Sequence, residues 1–392
     1  MQDNDIYIPK LGGVLPPPIA FDENRASTTV TSAPSSSYAP PTKITLNDNQ
    51  YQQLKEQGYT KGLCDALADN CNMFAMRIWV IDNSGSMNKA DGQRLIPMKH
   101  MGQIKSIPCT RWKEIVETVE YHVQLAALLQ APTQFRLLNP PHVAGLAQDF
   151  SVAERGSAFI REDVQIANDI MSKSSPVGVT PLTEHIYSIQ QQVDYMKHDL
   201  VASGKRVAII LATDGLPSDE KGVSDQRELD RFIQALRSLE GLPVWLVVRL
   251  CTDHEPTVDF YNNLDQQLEM SVEVLDNFTS EAKELYEVNP WINYTLPIHR
   301  MREMGFQNRL FDLLDERALT ISEVRDYCIL VFGAGAFDGV PEPEVDFMGF
   351  LKAVHNIAQQ EQFWHVVKRK LKPLVSVKKI SQIHGNGSCS IM

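Results

Sequence analysis

The chain reads as an α/β protein built on a doubly wound, mostly parallel sheet, and three features point there. Segments of strand and helix character alternate from Met76 to about residue 280. Two of the strands, "RVAIILAT" (206–213) and "LPVWLVVRL" (242–250), are apolar at successive positions. A strand needs apolar residues on both faces only when helices cover both sides, as in a parallel sheet. Between the strands lie segments whose apolar residues recur at helical spacing.

The elements follow in order. "RIWVID" (77–82) is a strand. Trp112, Ile115, Val116, Val119, Val123, Ala126 and Ala127 then recur on one helical face. "QFRLL" (134–138) is a strand and "DVQIANDIM" (163–171) a helix. "TPLTEHIYSIQQQVDYM" (180–196) is a second, with Thr180 expected as its N-cap and Pro181 in the first helical position. "SDQRELDRFIQALRSLEG" (224–241) is expected to start at a Ser224 cap and stop at Gly241, and "MSVEVL" (270–275) to be an edge strand.

Outside this unit, which spans residues 75–280, the composition shifts. Residues 1–43 form a Pro/Ser/Thr-rich tract, expected to be a disordered arm, with a proline-recognition ligand as the functional alternative. Residues 44–74 read as a short lead-in of two helices flanking Gly58-Tyr59. Residues 281–361 are a helical extension, with Thr320 and Glu323 spaced as a capping box. "FDGVPEPEVDFMGFLKAV" (337–354) has the rhythm of a calcium loop, but Ala334 and Ala336 stand where carboxylates are needed, so it reads as structural. Residues 362–392 are a basic tail.

Composition bounds the function. With 392 residues and 43% of them hydrophobic, the chain can bury a large core. A net charge of -12 argues against nucleic acid as a general partner, which requires a basic footprint. The six cysteines are scattered without metal-ligand spacing, and the first residues, "MQDNDIYIPK", lack the pattern of a secretory signal. The expectation is a reducing, cytoplasmic location, so the N-x-T patterns at Asn277 and Asn293 read as chance.

Ligands of an open α/β sheet bind beyond the carboxyl ends of its strands. "IDNSGSM" follows one strand and "ATDG" ends another, so Asp82 and Asp214 should converge there with Ser84 and Ser86. The loop "SPVGV" would bring Thr180 over the same spot. Two carboxylates and three hydroxyls are hard oxygen donors, which suit Mg²⁺ or Mn²⁺ rather than zinc. Catalytic patterns fare poorly. "NSGSM" lacks the glycines flanking a hydrolase nucleophile, Gly333, Gly335 and Gly339 are misspaced for a dinucleotide loop, and His185 reads as a helix-surface residue.

With these residues in place, the sequence resembles the von Willebrand factor A domain family and its metal-ion-dependent adhesion site. Asp82, Ser84 and Ser86 meet the family's D-x-S-x-S motif, Thr180 in "GVTPL" its threonine and Asp214 in "ATDG" its later aspartate. The resemblance covers about half the chain. It implies hydroxyl ligation by Ser84, Ser86 and Thr180, with Asp82 and Asp214 holding the ion largely through water. It also implies a Rossmann-like domain that captures a protein partner's carboxylate without catalysis, Mg²⁺ or Mn²⁺ being the cofactor. The chain departs from the pattern at residues 88–111, an insertion of about twenty residues expected to form a hairpin on the rim of the site. A metal-dependent hydrolase and a ubiquitin-linked adaptor are the alternatives.

The last four residues, Cys389-Ser390-Ile391-Met392, match the C-a-a-X prenylation signal. Lys368, Arg369, Lys370, Lys372, Lys378 and Lys379 precede them with no acid from Gln362 onward. One lipid chain anchors only marginally, and basic side chains near an anionic leaflet add about 1 kcal/mol each. The expectation is attachment to the cytosolic face of a membrane through Cys389 and these six side chains.

Overall fold

A computed structural model describes residues 44–97 and 104–385. The arm, the tip of the expected hairpin and the Cys389 motif lie outside the described residues. The chain runs α1 (Asp48–Glu56), α2 (Lys61–Met73), β1 (Phe74–Ile81), the hairpin β2 (Gly92–Pro97) and β3 (Ile104–Cys109), then α3 (Arg111–Leu129) and β4 (Thr133–Leu137). Next come β5 (Asp149–Val152), α4 (Ile160–Lys173), α5 (Leu182–Ser203), β6 (Arg206–Thr213), α6 (Gln226–Arg237), β7 (Val244–Leu250), α7 (Glu255–Asn262) and β8 (Val272–Leu275). The remainder is α8 (Phe278–Val288), α9 (Leu296–Glu303), α10 (Arg309–Asp312), α11 (Ile321–Phe332), α12 (Phe347–Ala358), β9 (Phe363–His365), β10 (Lys370–Lys372) and α13 (Val377–His384). No helix among the described residues is long and apolar enough to cross a membrane.

Six strands form one sheet in the order β5-β4-β1-β6-β7-β8. All neighbours are parallel except β5, which pairs antiparallel with β4. Alternate residues of β1 serve two cores. Trp79 and Ile81 pack with Ile115 and Val119 of α3 and Ile170 of α4. Ile78 and Val80 pack with Ile186 and Ile189 of α5 and Phe232 of α6. Helices therefore cover both faces, and the apolar run of β6 is buried throughout from Val207 to Thr213.

Most expected elements are present, including the edge strand β8 and the capping box, in which Thr320 Oγ1 accepts from the Glu323 amide at 3.4 Å and Glu323 accepts from the Thr320 amide at 2.9 Å. Several details differ, among them that α6 ends at Arg237 rather than at Gly241 and that α7 has no counterpart in the sequence reading. The N-cap of α5 is Pro181, one residue after Thr180. The cap of α6 is Asp225 rather than Ser224, its carboxylate accepting from the Glu228 amide at 3.0 Å. The edge strand β5 has no counterpart in the sequence reading.

The helices before and after the sheet share a third core. Leu54 of α1 and Leu63 of α2 are buried with Leu285 of α8, Ile298 of α9, Tyr327 of α11, Phe350 of α12 and Ile380 of α13. Backbones of α2 and α11 touch at Gly62, where an added Cβ would lie 2.3 Å from the Leu330 carbonyl oxygen. Only glycine permits that approach.

Ion pairs join this helical module to the sheet. Glu303 is fully buried on α9. It accepts from Arg249 Nε of β7 at 3.1 Å, Arg300 Nη1 at 2.7 Å and His122 Nε2 of α3 at 3.1 Å, with His299 Nε2 at 3.3 Å. Arg249 also bonds Glu114 of α3 at 2.5 Å. On β1, Arg77 donates to the Met304 carbonyl at 3.0 Å. Burial outweighs the Glu303 charge at His122 and pushes the imidazole down to about 4, while His299 is lowered by the same burial.

Two outcomes follow from this joint. Histidines kept neutral on folding bind fewer protons than in the unfolded chain, so their stability is fully present above about pH 6.5 and is lost as pH falls toward 4. Thermal melts across that window should show a falling Tm, with a shallower slope in His122→Gln. Glu303→Leu should cost about 3–5 kcal/mol in urea unfolding, because it leaves the buried Arg300 with no carboxylate and Arg249 with that of Glu114 alone.

Candidate functional site

Counting only the strands of the large sheet, the order is 3-2-1-4-5-6. The direction of winding reverses between β1 and β6, and crevices at such a switch point, beyond the carboxyl ends, hold ligands. The chain places its oxygen-rich turn there. β1 ends at Ile81 and Asp82 follows, its amide donating to the Ala212 carbonyl of β6 at 2.8 Å. β6 ends at Thr213 and Asp214 follows.

The side chains form a continuous network. Asp82 Oδ1 accepts from the Ser84 amide at 2.8 Å, and Oδ2 accepts from the Thr213 hydroxyl at 2.7 Å. The Ser84 and Ser86 hydroxyl oxygens lie 2.9 Å apart, and Ser86 donates to Asp214 Oδ1 at 2.7 Å. Asp82, Ser84 and Asp214 are all buried. Thr180 lies in the loop before α5, with its amide on Ser218 Oγ at 2.9 Å. Its hydroxyl sits beside Gly215, 3.9 Å from where a Cβ would stand. A backbone bond from Gly85 to the Gly178 carbonyl, 3.2 Å, ties that loop to the Ser84–Ser86 turn. Asp82, Ser84, Ser86 and Asp214 are thus brought into one cluster, with Thr180 on the adjoining loop.

Burial pushes the Asp82 carboxyl up to about 6, with the Asp214 charge adding to it and the Ser84 and Thr213 bonds opposing. Two carboxylates packed together favour any cation that can share them. Among the described residues no group of three or more His, Cys, Asp or Glu is placed to hold a metal. Any ion bound here would depend on the hydroxyls of Ser84, Ser86 and Thr180 for the rest of its ligands.

Sequence reasoning missed the cation the protein itself supplies. Arg111, first residue of α3, donates from Nη1 to Asp214 Oδ2 at 2.7 Å. Its Nε and Nη2 hold Asp91 at 2.6 and 2.5 Å. The guanidinium is itself buried, yet the bonds to Asp91 and Asp214 outweigh desolvation and raise its pKa further. This is how the 88–111 insertion bears on the site. Its strands pair in the expected hairpin from Gly92↔Cys109 to Pro97↔Ile104. Leu95 and Ile104 lean on the helical core, while at the base Asp91 holds the Arg111 guanidinium that reaches Asp214. The base closes tightly, since a Cβ on Gly92 would lie 2.8 Å from the Thr110 carbonyl oxygen. The only local signal was Thr110, which caps α3 by accepting from the Lys113 amide at 3.2 Å.

Other candidates resolve differently. His185 is half-buried and its Nε2 lies 3.1 Å from the Leu138 carbonyl. The tail residues Lys368 to Lys379 belong to the β9–β10 ribbon and α13, which pack into the helical module. Searches against protein-family models and curated proteins returned no match.

Removing the guanidinium should leave two buried carboxylates with no positive partner. Arg111→Gln should therefore lose about 3 kcal/mol or more in urea unfolding. Lys, which cannot make the three-point contact, should recover only part of it.

Proposed function

We propose that the chain is an A-type domain protein that binds Mg²⁺ or Mn²⁺ at Asp82, Ser84, Ser86, Thr180 and Asp214, and presents the ion to a carboxylate of a protein partner. The observation that carries this reading is the spacing of the hydroxyls. Oxygens around an octahedral ion at about 2.1 Å lie roughly 3 Å from one another. The Ser84–Ser86 hydroxyl separation of 2.9 Å approaches that edge length. Both Asp82 oxygens already accept bonds and one Asp214 oxygen is on Arg111, which favours outer-sphere roles for the carboxylates.

Neutral hydroxyls in direct contact leave the ion short of negative charge. A partner's carboxylate supplies what the protein does not, and binding results without a bond being broken. The reading places this event at a membrane surface, through prenylation of Cys389 and the basic residues Lys368, Arg369, Lys370, Lys372, Lys378 and Lys379.

Calorimetry should find one Mn²⁺ site that Asp82→Ala abolishes, and equal binding by the two proteins defeats the assignment. Partner capture from cell extract should fall with chelator and in Ser84→Ala. Metal-dependent turnover that disappears in Asp214→Ala would instead establish the hydrolase alternative. For the anchor, mass spectrometry of protein isolated from its own cells should show Cys389 as the prenylated C-terminus. An intact, unmodified Met392 in most molecules rejects it.

A further inference from the structure

The basic residues near the C-terminus frame a cleft of about 240 Å³ between the β9–β10 ribbon, the start of α13 and the segment 290–293. That volume equals roughly eight waters at about 30 Å³ each, ample for a phosphate group. Lys368, Lys372 and Lys378 line it together with His355 and His365, and none of its described lining residues is Asp or Glu. No carboxylate pairs with these three lysines among the described residues.

Two further observations point to a ligand. His365, only 6% exposed, has no hydrogen-bond partner for Nδ1 among the described residues. Buried ring nitrogens are usually paired with protein, ordered water or a bound ion, and His365 Nδ1 has no protein partner among the described residues. Ser376, the N-cap of the eight-residue helix α13, makes no side-chain cap bond, although it lines the same cleft. The first-turn amides of a helix and its positive end favour an anion. Lys368 is held in place rather than free, its Nζ lying 5.0 Å from the centroid of the Tyr286 ring, and that ring packs edge-on against His365.

We propose that this cleft binds a phosphate monoester, with Lys368, Lys372 and Lys378 as charge partners and His365 Nδ1 and the α13 N-terminus as donors. The ligand chemistry is that of a phosphate monoester, either free or on a lipid headgroup, and inositol trisphosphate serves as its soluble probe. The lipid source deepens the membrane reading above and rests on it. α13 ends at His384, five residues before Cys389, so a lipid on that cysteine would hold the cleft close to the headgroups. Binding of the phosphate itself depends on neither the metal site nor the lipid.

The test uses full-length recombinant protein without a lipid, nitrogen-labelled at histidine. Inorganic phosphate and then soluble inositol trisphosphate should shift the His365 resonances, and the trisphosphate should bind the more tightly. Lys372→Gln combined with Lys378→Gln should weaken trisphosphate binding about tenfold or more, at an unchanged Tm. Lys378→Gln alone, at an exposed position, serves if the pair disturbs folding. An unmoved His365 signal in folded protein, or equal affinity in the lysine variants, overturns the proposal. Phosphatidylcholine vesicles carrying phosphatidylinositol bisphosphate are then compared with vesicles of equal charge made with phosphatidylserine. Preferential capture on the former identifies the lipid as the source. Capture by neither, with soluble trisphosphate still binding, keeps the phosphate cleft and assigns it a free ligand, while removing the lipid source.

Discussion

The joint between the sheet and the helical module is organised around one buried carboxylate. Glu303 sits where α3, β7 and α9 meet, and it is surrounded by Arg249, Arg300, His122 and His299. Those partners hold its pKa well below the ordinary carboxylate range despite the burial that opposes this. A buried charge cluster of this kind contributes little net stability over an apolar replacement. Its effect is geometric, because the partners must meet in one arrangement. α3 is fixed between the sheet and the helical module, its Val119 facing one core and its Tyr121 the other. The first residue of the same helix is Arg111. The orientation of α3 thus sets where the guanidinium falls on Asp214.

That guanidinium gives the oxygen cluster an unusual balance. Asp82 and Asp214 would repel across a buried space if nothing stood between them. Ser84, Ser86 and Thr213 supply hydrogen bonds but no charge, and Arg111 supplies one charge at the far oxygen of Asp214. The other oxygen of Asp214 accepts from the Ser86 hydroxyl. The cluster is therefore stable as a protein structure in its own right, and a cation added to it meets a carboxylate already held in orientation.

The sheet was legible in the sequence because its residues carry a local period. β6 is apolar from Val207 to Ala212 and β7 from Val244 to Val248, and α3 and α5 repeat at helical spacing. The Thr320–Glu323 box could be read because both partners lie within one turn. β5 escaped because Asp149 and Ser151 are poor strand formers, whereas the equally short edge strand β8 carries Val272, Val274 and Leu275. The cap of α6 was misplaced because Ser224 and Asp225 are adjacent and both competent, and only the Glu228 amide chooses between them. At the site, Asp82, Ser84, Ser86 and Asp214 were legible from strand ends alone. Arg111 was not, because its partner lies 103 positions away and no local pattern links them. The tail read as a run of charge for the same reason. Its folded form depends on Trp291, whose carbonyl receives the Ser376 amide at 2.8 Å.

The shared core of α1 and α2 with α8 to α13 also bears on how the protein is made. Synthesis proceeds from the N-terminus at about 5–20 residues per second. The sheet can close once Leu275 has left the ribosome, but Leu54, Leu63 and Leu67 then still lack Val324, Phe350 and Ile380. For several seconds the nascent chain carries an apolar helix pair fused directly to a finished sheet, since α2 ends at Met73 and β1 begins at Phe74. That interval is the point at which a chaperone would have a surface to hold. A premature stop after residue 290 would make the interval permanent.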